Sequence, residues 1–260
     1  MLGYILAIFG LVRINLSITP SNMKDLEINC VGKCTVHTVR GKDITLKAEL
    51  PDSIKHLFGL KKEDDKTVCG IVENELDITR KHLKGIFKGL SDSIHVDIGI
   101  PEKISFKEVD LNLGATRGTV ELKKYKIKHL VINMGAGKAE IKFLKKNKAK
   151  NGYLEINTGA GTVNLLSCEN FRADTIKMNI GAANAMVDFN RKPYITPSHL
   201  FISQAVSSST ILIPKNTTCA VEQEGILNLK SFDACNDTEH PDIIIHLDGA
   251  LSSINVVKKR

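Results

Sequence analysis

Apolar and polar residues alternate through residues 109–189, and a glycine-alanine pair interrupts the alternation four times. The apolar positions hold mainly Val, Leu, Ile and Met, and the polar positions hold mainly Asn, Glu, Lys and Asp. Alternation with a period of two is typical of strands that bury one face. The four pairs are Gly114-Ala115, Gly135-Ala136, Gly159-Ala160 and Gly181-Ala182, and successive alanines are 21, 24 and 22 residues apart.

The regular spacing of these pairs predicts the architecture. Each unit is expected to consist of two short strands joined at a tight Gly-Ala corner. A strand pair of this size is marginal in water on its own, so neighbouring units must stack to bury their apolar faces. A period near 22 residues is too short for a pair of helices and is typical of a β-solenoid. The pattern therefore predicts an all-β, single-domain β-solenoid, and an ordinary β-sandwich is the alternative.

The eight corner residues are expected to be structural. Glycine suits a bend that needs positive φ, and a small alanine beside it lets neighbouring corners stack closely.

The chain divides into an apolar N-terminal segment, residues 1–23, a repeat domain, residues 24–257, and a basic tail, residues 258–260. Residues 2–12 are apolar without a break until Arg13. This run is too short for a transmembrane helix and has the length of a signal-sequence core, but no basic residue precedes it. A membrane signal, the end of a transmembrane span and a buried terminal strand all stay open. Membrane association through residues 2–12 is therefore possible.

The sequence on either side of the clear repeats follows the same pattern less regularly. Residues 24–39 predict a first unit, residues 44–50 a strand that stops at Pro51, and residues 68–78 a strand pair. The charged residues 52–66 and 80–92 are expected to form surface loops or short helices. After Phe189 the units diverge, as expected for the end of a stack that must face water.

The net charge of +7 comes mainly from lysine, because only seven of the 36 basic residues are arginine. Bidentate phosphate recognition favours arginine, so sequence-specific nucleic-acid binding is not expected. Lysines concentrate in the connectors between repeats and would align on one edge of a stack. That edge is either a solvated edge that resists aggregation or a surface that faces a polyanion. The lysines concerned are Lys123, Lys124, Lys126, Lys145, Lys146 and Lys148.

No motif for catalysis, cofactor binding or metal binding is evident in the sequence. The segment from Gly135 to Lys138 lacks the first glycine and the Ser/Thr of a phosphate-binding loop. The eight histidines are scattered, and the outward acidic residues alternate with Asn and Lys, as in a solvated wall. Cys30 and Cys34 could pair locally, but two half-buried strand residues are the favoured interpretation. We therefore expect no catalytic residue, no cofactor and no metal.

Residues 94–122, IHVDIGIPEKISFKEVDLNLGATRGTVEL, resemble the "putative adhesin" β-strand-repeat family, a domain family of unknown function. The similarity extends over about residues 25–257 and is best over residues 94–189. It implies a right-handed β-solenoid-like fold, a non-enzymatic role and a place in or near the cell envelope. The family offers no catalytic residues to carry over.

The sequence and the resemblance together predict a non-catalytic protein that presents a repetitive surface to a partner. The partner is expected to be a protein or an anionic envelope polymer, and the location to be the cell envelope or the secreted space rather than the cytoplasm. Two alternatives stay open. One is a carbohydrate-active solenoid enzyme, which needs outward acids of adjacent units about 5–10 Å apart across a groove. The other is an intracellular regulatory or interaction protein with reduced cysteines.

Overall fold

In the computed structural model, the described residues form a single sheet of fifteen strands with two short 3-10 turns. They are residues 11–19, 25–72, 93–225, 235, 239–250 and 252–259. The first six strands are β1 (Leu11–Ile18), β2 (Asp25–Val39), β3 (Ile44–Pro51), β4 (Phe58–Glu63), β5 (Lys66–Ile71) and β6 (His95–Pro101). Four long strands follow, β7 (Ser105–Leu122), β8 (Lys126–Phe143), β9 (Gly152–Leu166) and β10 (Ala173–Asp188). The last five are β11 (Ser198–Gln204), β12 (Ser208–Ile213), β13 (Cys219–Gly225), β14 (Ile243–Gly249) and β15 (Ser253–Lys258). The all-β prediction is confirmed.

The centre of the molecule is a stack of parallel strands in the order β2-β7-β8-β9-β10. The repeated alanines lie side by side in this stack, because Ala136 pairs with Ala115, Ala160 with Ala136, and Ala182 with Ala160. Each repeat is one continuous strand of 15 to 18 residues that passes through the Gly-Ala pair, not two short strands separated by a turn. The repeat differs from the prediction because backbone pairing between neighbouring strands resumes immediately beyond the corner.

None of the four corner glycines has positive φ, and close packing requires a glycine at two of the corners, Gly159 and Gly181. A Cβ added to Gly159 would lie 2.6 Å from the carbonyl oxygen of Gly135, and one added to Gly181 would lie 2.5 Å from the carbonyl oxygen of Gly159. Positive φ occurs two residues after the corner, at Gly137 (123°) and Gly161 (115°). The expected role of the corner glycines in a left-handed bend is therefore wrong. They let successive backbones approach each other at the corner.

The two ends of the sheet differ from the centre. Beyond β10, the part before the corner pairs with β11 and the part after it pairs with β12, and β14, β13 and β15 continue these two ladders. At the opposite end β3 pairs antiparallel with β6, and β1 pairs antiparallel with β3.

The prediction of a loop or short helix over residues 52–66 is wrong in part, because a 3-10 turn, Asp52–Leu57, is followed by the β4–β5 hairpin. Residues 80–92, and the part of the 68–78 prediction from residue 73 on, lie outside the described residues.

The connectors between the long strands are held by a buried polar and aromatic cluster. Tyr125, Phe143 and Phe171 lie with ring centroids 5.1 to 6.2 Å apart. Beside them, the buried Asn147 side chain donates hydrogen bonds to the carbonyl oxygens of Ile127 (2.7 Å) and Phe171 (3.1 Å). A connector fixed in this way has little freedom to move. The connectors therefore form a well-ordered surface at the edge of the stack.

Four of the six cysteines are paired. Disulfides join Cys30 to Cys34 and Cys219 to Cys235, whereas Cys69 and Cys168 are free and buried. The favoured interpretation of Cys30 and Cys34 as two unpaired strand residues is wrong. The ladder between β2 and β7 shifts register between Cys30 and Gly32, and both cysteines are buried on the inner side of β2.

Candidate functional site

A groove with a volume of about 900 Å³ crosses the strands at the Gly-Ala corners. We call it the corner groove. It passes over six neighbouring strands, β7, β8, β9, β10, β11 and β14. Most of its lining comes from three side-by-side rows, which are an asparagine row, a buried row and a glycine row. Its lining residues are Asn112, Leu113, Gly114, Asn133, Met134, Gly135, Asn157, Thr158, Gly159, Asn179, Ile180, Gly181, Ser203, Gln204, Ala205, Asp248, Gly249 and Ala250.

The asparagine row is a continuous hydrogen-bonded ladder along one wall of the corner groove. Each side-chain amide donates to the side-chain oxygen of the asparagine on the preceding strand. The distances are 2.9 Å from Asn112 to Asn29, 2.9 Å from Asn133 to Asn112, 2.9 Å from Asn157 to Asn133 and 2.6 Å from Asn179 to Asn157. Stacking of identical side chains in register makes such ladders possible.

The ladder leaves hydrogen-bonding capacity facing the groove. A primary amide has two N–H groups and an oxygen with two lone pairs, and the ladder uses one of each. The half-buried side chains of Asn112, Asn133 and Asn157 each retain one N–H and one lone pair that make no hydrogen bond within the described residues. Donors and acceptors therefore repeat along the groove at the strand spacing, about 4.8 Å.

The corner groove is nearly free of charge. Among the described residues of its lining, Asp248 is the one with an ionisable side chain. The floor consists of glycines, which expose peptide groups, and of the edges of apolar side chains. A surface that combines uncharged amides with apolar floor area suits a neutral polar ligand.

At the Asp248 end, the corner groove adjoins a smaller pocket of about 260 Å³. Its lining residues are Phe201, Ile202, Ser203, Glu222, Glu224, His246, Leu247 and Asp248. Here His246 Nδ1 lies 2.9 Å from Glu222 Oε2, and its Nε2 lies 3.0 Å from His199 Nδ1. The Phe201 ring stacks on the His246 ring with centroids 4.1 Å apart. Acidic and imidazole groups meet only at this end of the described groove.

The structure brings the predicted corner residues together. Gly114, Gly135, Gly159 and Gly181 line the corner groove, and the alanine that follows each of them aligns in the adjoining row. The alternation predicted polar positions that hold asparagine, but it did not identify the asparagines as a functional row. The signal that identifies them is the repeated motif Asn-x-Gly-Ala, which begins at Asn112, Asn133, Asn157 and Asn179.

The six predicted lysines form a second surface, the basic edge, comprising Lys123, Lys124, Lys126, Lys145, Lys146 and Lys148. All six are exposed. The two connectors that carry them lie side by side, because Leu144 N donates to Leu122 O (2.9 Å) and Lys148 N donates to Tyr125 O (3.1 Å). The prediction that these lysines share an edge depends on the same stacking of strands that aligns the corners.

Two further observations concern the described residues alone. No helix among them is long and apolar enough to cross a membrane. Over the same ranges, no group of three or more His, Cys, Asp or Glu side chains is arranged to hold a metal ion.

These features define an all-β protein of stacked strands with a repetitive surface. Residues 62–166 match the family model described as the N-terminal domain of toast_rack, DUF2154. This match confirms the predicted resemblance to a family of unknown function. No curated protein matches the chain.

Several solved structures are similar to this chain along nearly its whole length. A "putative adhesin" from Bacteroides fragilis has 14% identity and a TM-score of 0.46, with 95% of this chain and 97% of that chain covered. A "putative cell adhesion protein" from Clostridium sporogenes has 14% identity and a TM-score of 0.45, with 96% and 100% covered. A "putative adhesin" from Parabacteroides merdae has 10% identity and a TM-score of 0.41, with 94% and 96% covered.

Proposed function

We propose that this protein is a non-catalytic, adhesin-like binding protein that holds an extended, uncharged polymer, a polysaccharide strand, in the corner groove. The observation that carries the proposal is the asparagine ladder beside a continuous groove of about 900 Å³. Six strands at about 4.8 Å give a groove about 24 Å long, which exceeds a single small molecule and suits several linked units.

The chemistry of the groove favours a polysaccharide over a charged polymer. Sugar hydroxyls both donate and accept hydrogen bonds, and an amide offers both functions at one site. The C–H faces of sugar rings pack on apolar surface of the kind that the glycine row and Met134 provide. An anionic or cationic chain would leave its charges without partners over most of the groove.

We further propose that the stack is a right-handed β-solenoid with turns of about 22 residues. The support is the register of the corner alanines, which are 21, 24 and 22 residues apart in the sequence and adjacent in the sheet. In such a fold a ligand parallel to the solenoid axis meets equivalent groups on each turn.

We place the protein in the cell envelope or the secreted space as part of the same proposal. Two disulfides support this location, because disulfides persist in oxidising compartments and are rare in the cytoplasm. Thiol titration of the denatured, unreduced protein tests this location. We expect two reactive thiols, from Cys69 and Cys168. Six thiols in protein taken from its native compartment would instead favour the intracellular alternative.

The groove is tested by blocking it at one residue. Ala205 lines the corner groove, whereas its neighbour Val206 is 61% exposed and is not part of the lining. Binding of neutral polysaccharides is measured by isothermal titration for wild type, Ala205→Trp and the matched control Val206→Trp. We expect Ala205→Trp to lose at least tenfold in affinity and the control to change by less than threefold. Equal affinities of the two variants, or no binding by wild type, would contradict the proposal.

A second candidate, a carbohydrate-active enzyme, is favoured by one observation at the Asp248 end of the corner groove. Glu224 is in register with Asp248 on the adjacent strand, and both residues line the smaller pocket, which is the kind of placement that a pair of catalytic carboxylates needs. The test is release of reducing ends from the same polysaccharides by wild type and by Asp248→Asn. Turnover that Asp248→Asn abolishes would replace the binding proposal by this one.

A further inference from the structure

The acidic groups around the basic edge already have partners, and most of its lysines do not. Glu102 pairs with Lys124 at 3.6 Å, Glu169 with Arg191 at 3.4 Å and Asp242 with Lys192 at 2.7 Å. Asp188 pairs with Lys259. Among the described residues, no carboxylate lies within ion-pair distance of the other five lysines of the edge, which are Lys123, Lys126, Lys145, Lys146 and Lys148.

We infer that the basic edge is a docking site for an anionic polymer, on a surface distinct from the corner groove. The two connectors that carry the lysines are adjacent in the stack, so positive charges repeat both along each connector and from one connector to the next. A chain of regularly spaced anions neutralises such an array and releases its condensed counterions, which favours binding.

The edge is rigid enough to hold this array in place. Asn147 lies between two of the lysines in the sequence, and its side chain is fully buried. The side-chain oxygen accepts hydrogen bonds from the backbone N–H groups of Ile127 (3.2 Å) and Ala149 (3.1 Å). Lys146 Nζ lies 3.9 Å from the centroid of the Tyr194 ring on a later connector, a cation–π contact. The attachment points of the lysines are therefore fixed, and the lysine side chains are exposed.

The character of the edge favours a polymer over a small anion or a membrane. Lysine is a point charge without the planar fork of arginine, so it attracts anions without fixing their geometry. A single phosphate would find no enclosed site among exposed lysines. Insertion into a bilayer needs apolar side chains, and the large apolar side chain exposed on these two connectors is Leu144. Tyr194, on a later connector, lies beneath Lys146.

Two triple variants with the same net charge test the site. One changes Lys123, Lys145 and Lys148 to Glu, and the control changes Lys33, Lys42 and Lys47, which are also exposed, to Glu. Binding of long-chain polyphosphate and of polyglutamate is measured at 50 mM and 200 mM salt. We expect the edge variant to lose at least tenfold in affinity at 50 mM salt and its salt slope to fall by about three, while the control changes by less than threefold.

Three outcomes would overturn the inference. Equal losses in both variants would mean that net charge alone drives binding, and no binding by wild type would remove the site. Retention of wild type on vesicles of anionic phospholipid, without binding to either polymer, would assign the edge to a membrane. Far-UV circular dichroism and the thermal midpoint of each variant identify a loss caused by unfolding, and in that case the single changes Lys123→Glu and Lys33→Glu decide.

Discussion

The corner groove and the basic edge are built from the same strands but hold their polar groups in opposite ways. In the corner groove Asn112, Asn133 and Asn157 are each bonded to asparagines on both sides, at 2.6 to 2.9 Å. On the basic edge the backbone is fixed by Asn147 and the aromatic cluster, and the lysine side chains are exposed, with Lys124 paired to Glu102 and Lys146 lying over Tyr194. The groove therefore displays a fixed pattern of hydrogen bonds, and the edge displays charge without a fixed pattern.

This difference separates the two kinds of recognition that the protein offers. A fixed row of donors and acceptors discriminates between neutral ligands of different spacing, because an unmatched polar group costs free energy. An array of exposed charges attracts any polyanion and is sensitive to salt. Substitutions in the asparagine ladder should therefore alter stability together with binding, whereas substitutions of the exposed lysines should alter binding alone.

The largest expected effect is at the floor of the corner groove, in Gly159→Ala. The new Cβ would lie 2.6 Å from the carbonyl oxygen of Gly135, and neither backbone can retreat without breaking the ladder. We expect a loss of about 3 kcal/mol or more in the free energy of unfolding, measured by urea denaturation.

Gly114→Ala is the matched control for this change. Its Cβ would meet the side chain of Val31 at 3.4 Å, an ordinary contact. We expect a change of less than about 1 kcal/mol, because nothing has to move. Equal losses in the two variants would mean that the corners do not depend on close backbone approach.

The corners also show which features of the fold can be predicted from the sequence. Alternation of apolar residues and the Gly-Ala spacing predicted that Ala115, Ala136, Ala160 and Ala182 would align, because one buried face and one small residue per turn leave few other registers. The β4–β5 hairpin was missed because charged residues mask its alternation. The asparagine ladder was missed because hydrogen bonds between side chains of different strands depend on the strand register. The separation of the asparagines in the sequence does not specify that register.

The next effect concerns the support of the basic edge, in Asn147→Ala. This change removes four hydrogen bonds of a side chain that is fully buried, and it leaves backbone groups of Ile127 and Ala149 without their partner. We expect a loss of about 2–3 kcal/mol in unfolding free energy. We also expect weaker polyphosphate binding, because the lysines lose their fixed attachment. Full retention of binding with lower stability would separate the edge from its support.

A smaller effect is expected on the groove wall, in Asn133→Ala. The change removes one donated and one accepted ladder bond, and we expect a loss of about 1–2 kcal/mol by urea denaturation. Asn164→Ala is the control, since Asn164 is also a half-buried outward-facing asparagine but belongs to the part of β9 beyond the corner. A loss below about 0.5 kcal/mol is expected there. If Asn133→Ala is equally mild, the ladder has no cooperative role.

The smallest effects are in the pH dependence of two carboxyl groups, one at each surface, and they have opposite signs. At the end of the asparagine ladder, desolvation tends to raise the pKa of Glu27, but hydrogen bonds from Lys66 and Asn29 and the charge of Lys66 outweigh it, so the pKa lies below its usual value of 4.5. At the basic edge, burial raises the pKa of Glu169 above 4.5, and the hydrogen bond from Asn190 N and the charge of Arg191 offset this only in part.

The signs follow from linkage between proton binding and folding. Because the pKa of Glu27 is lowered, its carboxylate stabilises the fold at pH values above 4.5. This stabilisation is lost as the pH falls through the folded-state pKa. The raised pKa of Glu169 is a penalty at neutral pH that disappears as the pH falls below 4.5. Glu27→Gln should therefore destabilise the protein at pH 7 and become neutral in acid. Glu169→Gln, relative to wild type, should be most favourable at pH 7 and lose that advantage in acid. Urea denaturation from pH 3 to pH 7 measures both, and parallel curves for the two variants would mean that the two surfaces do not differ in how they hold charge.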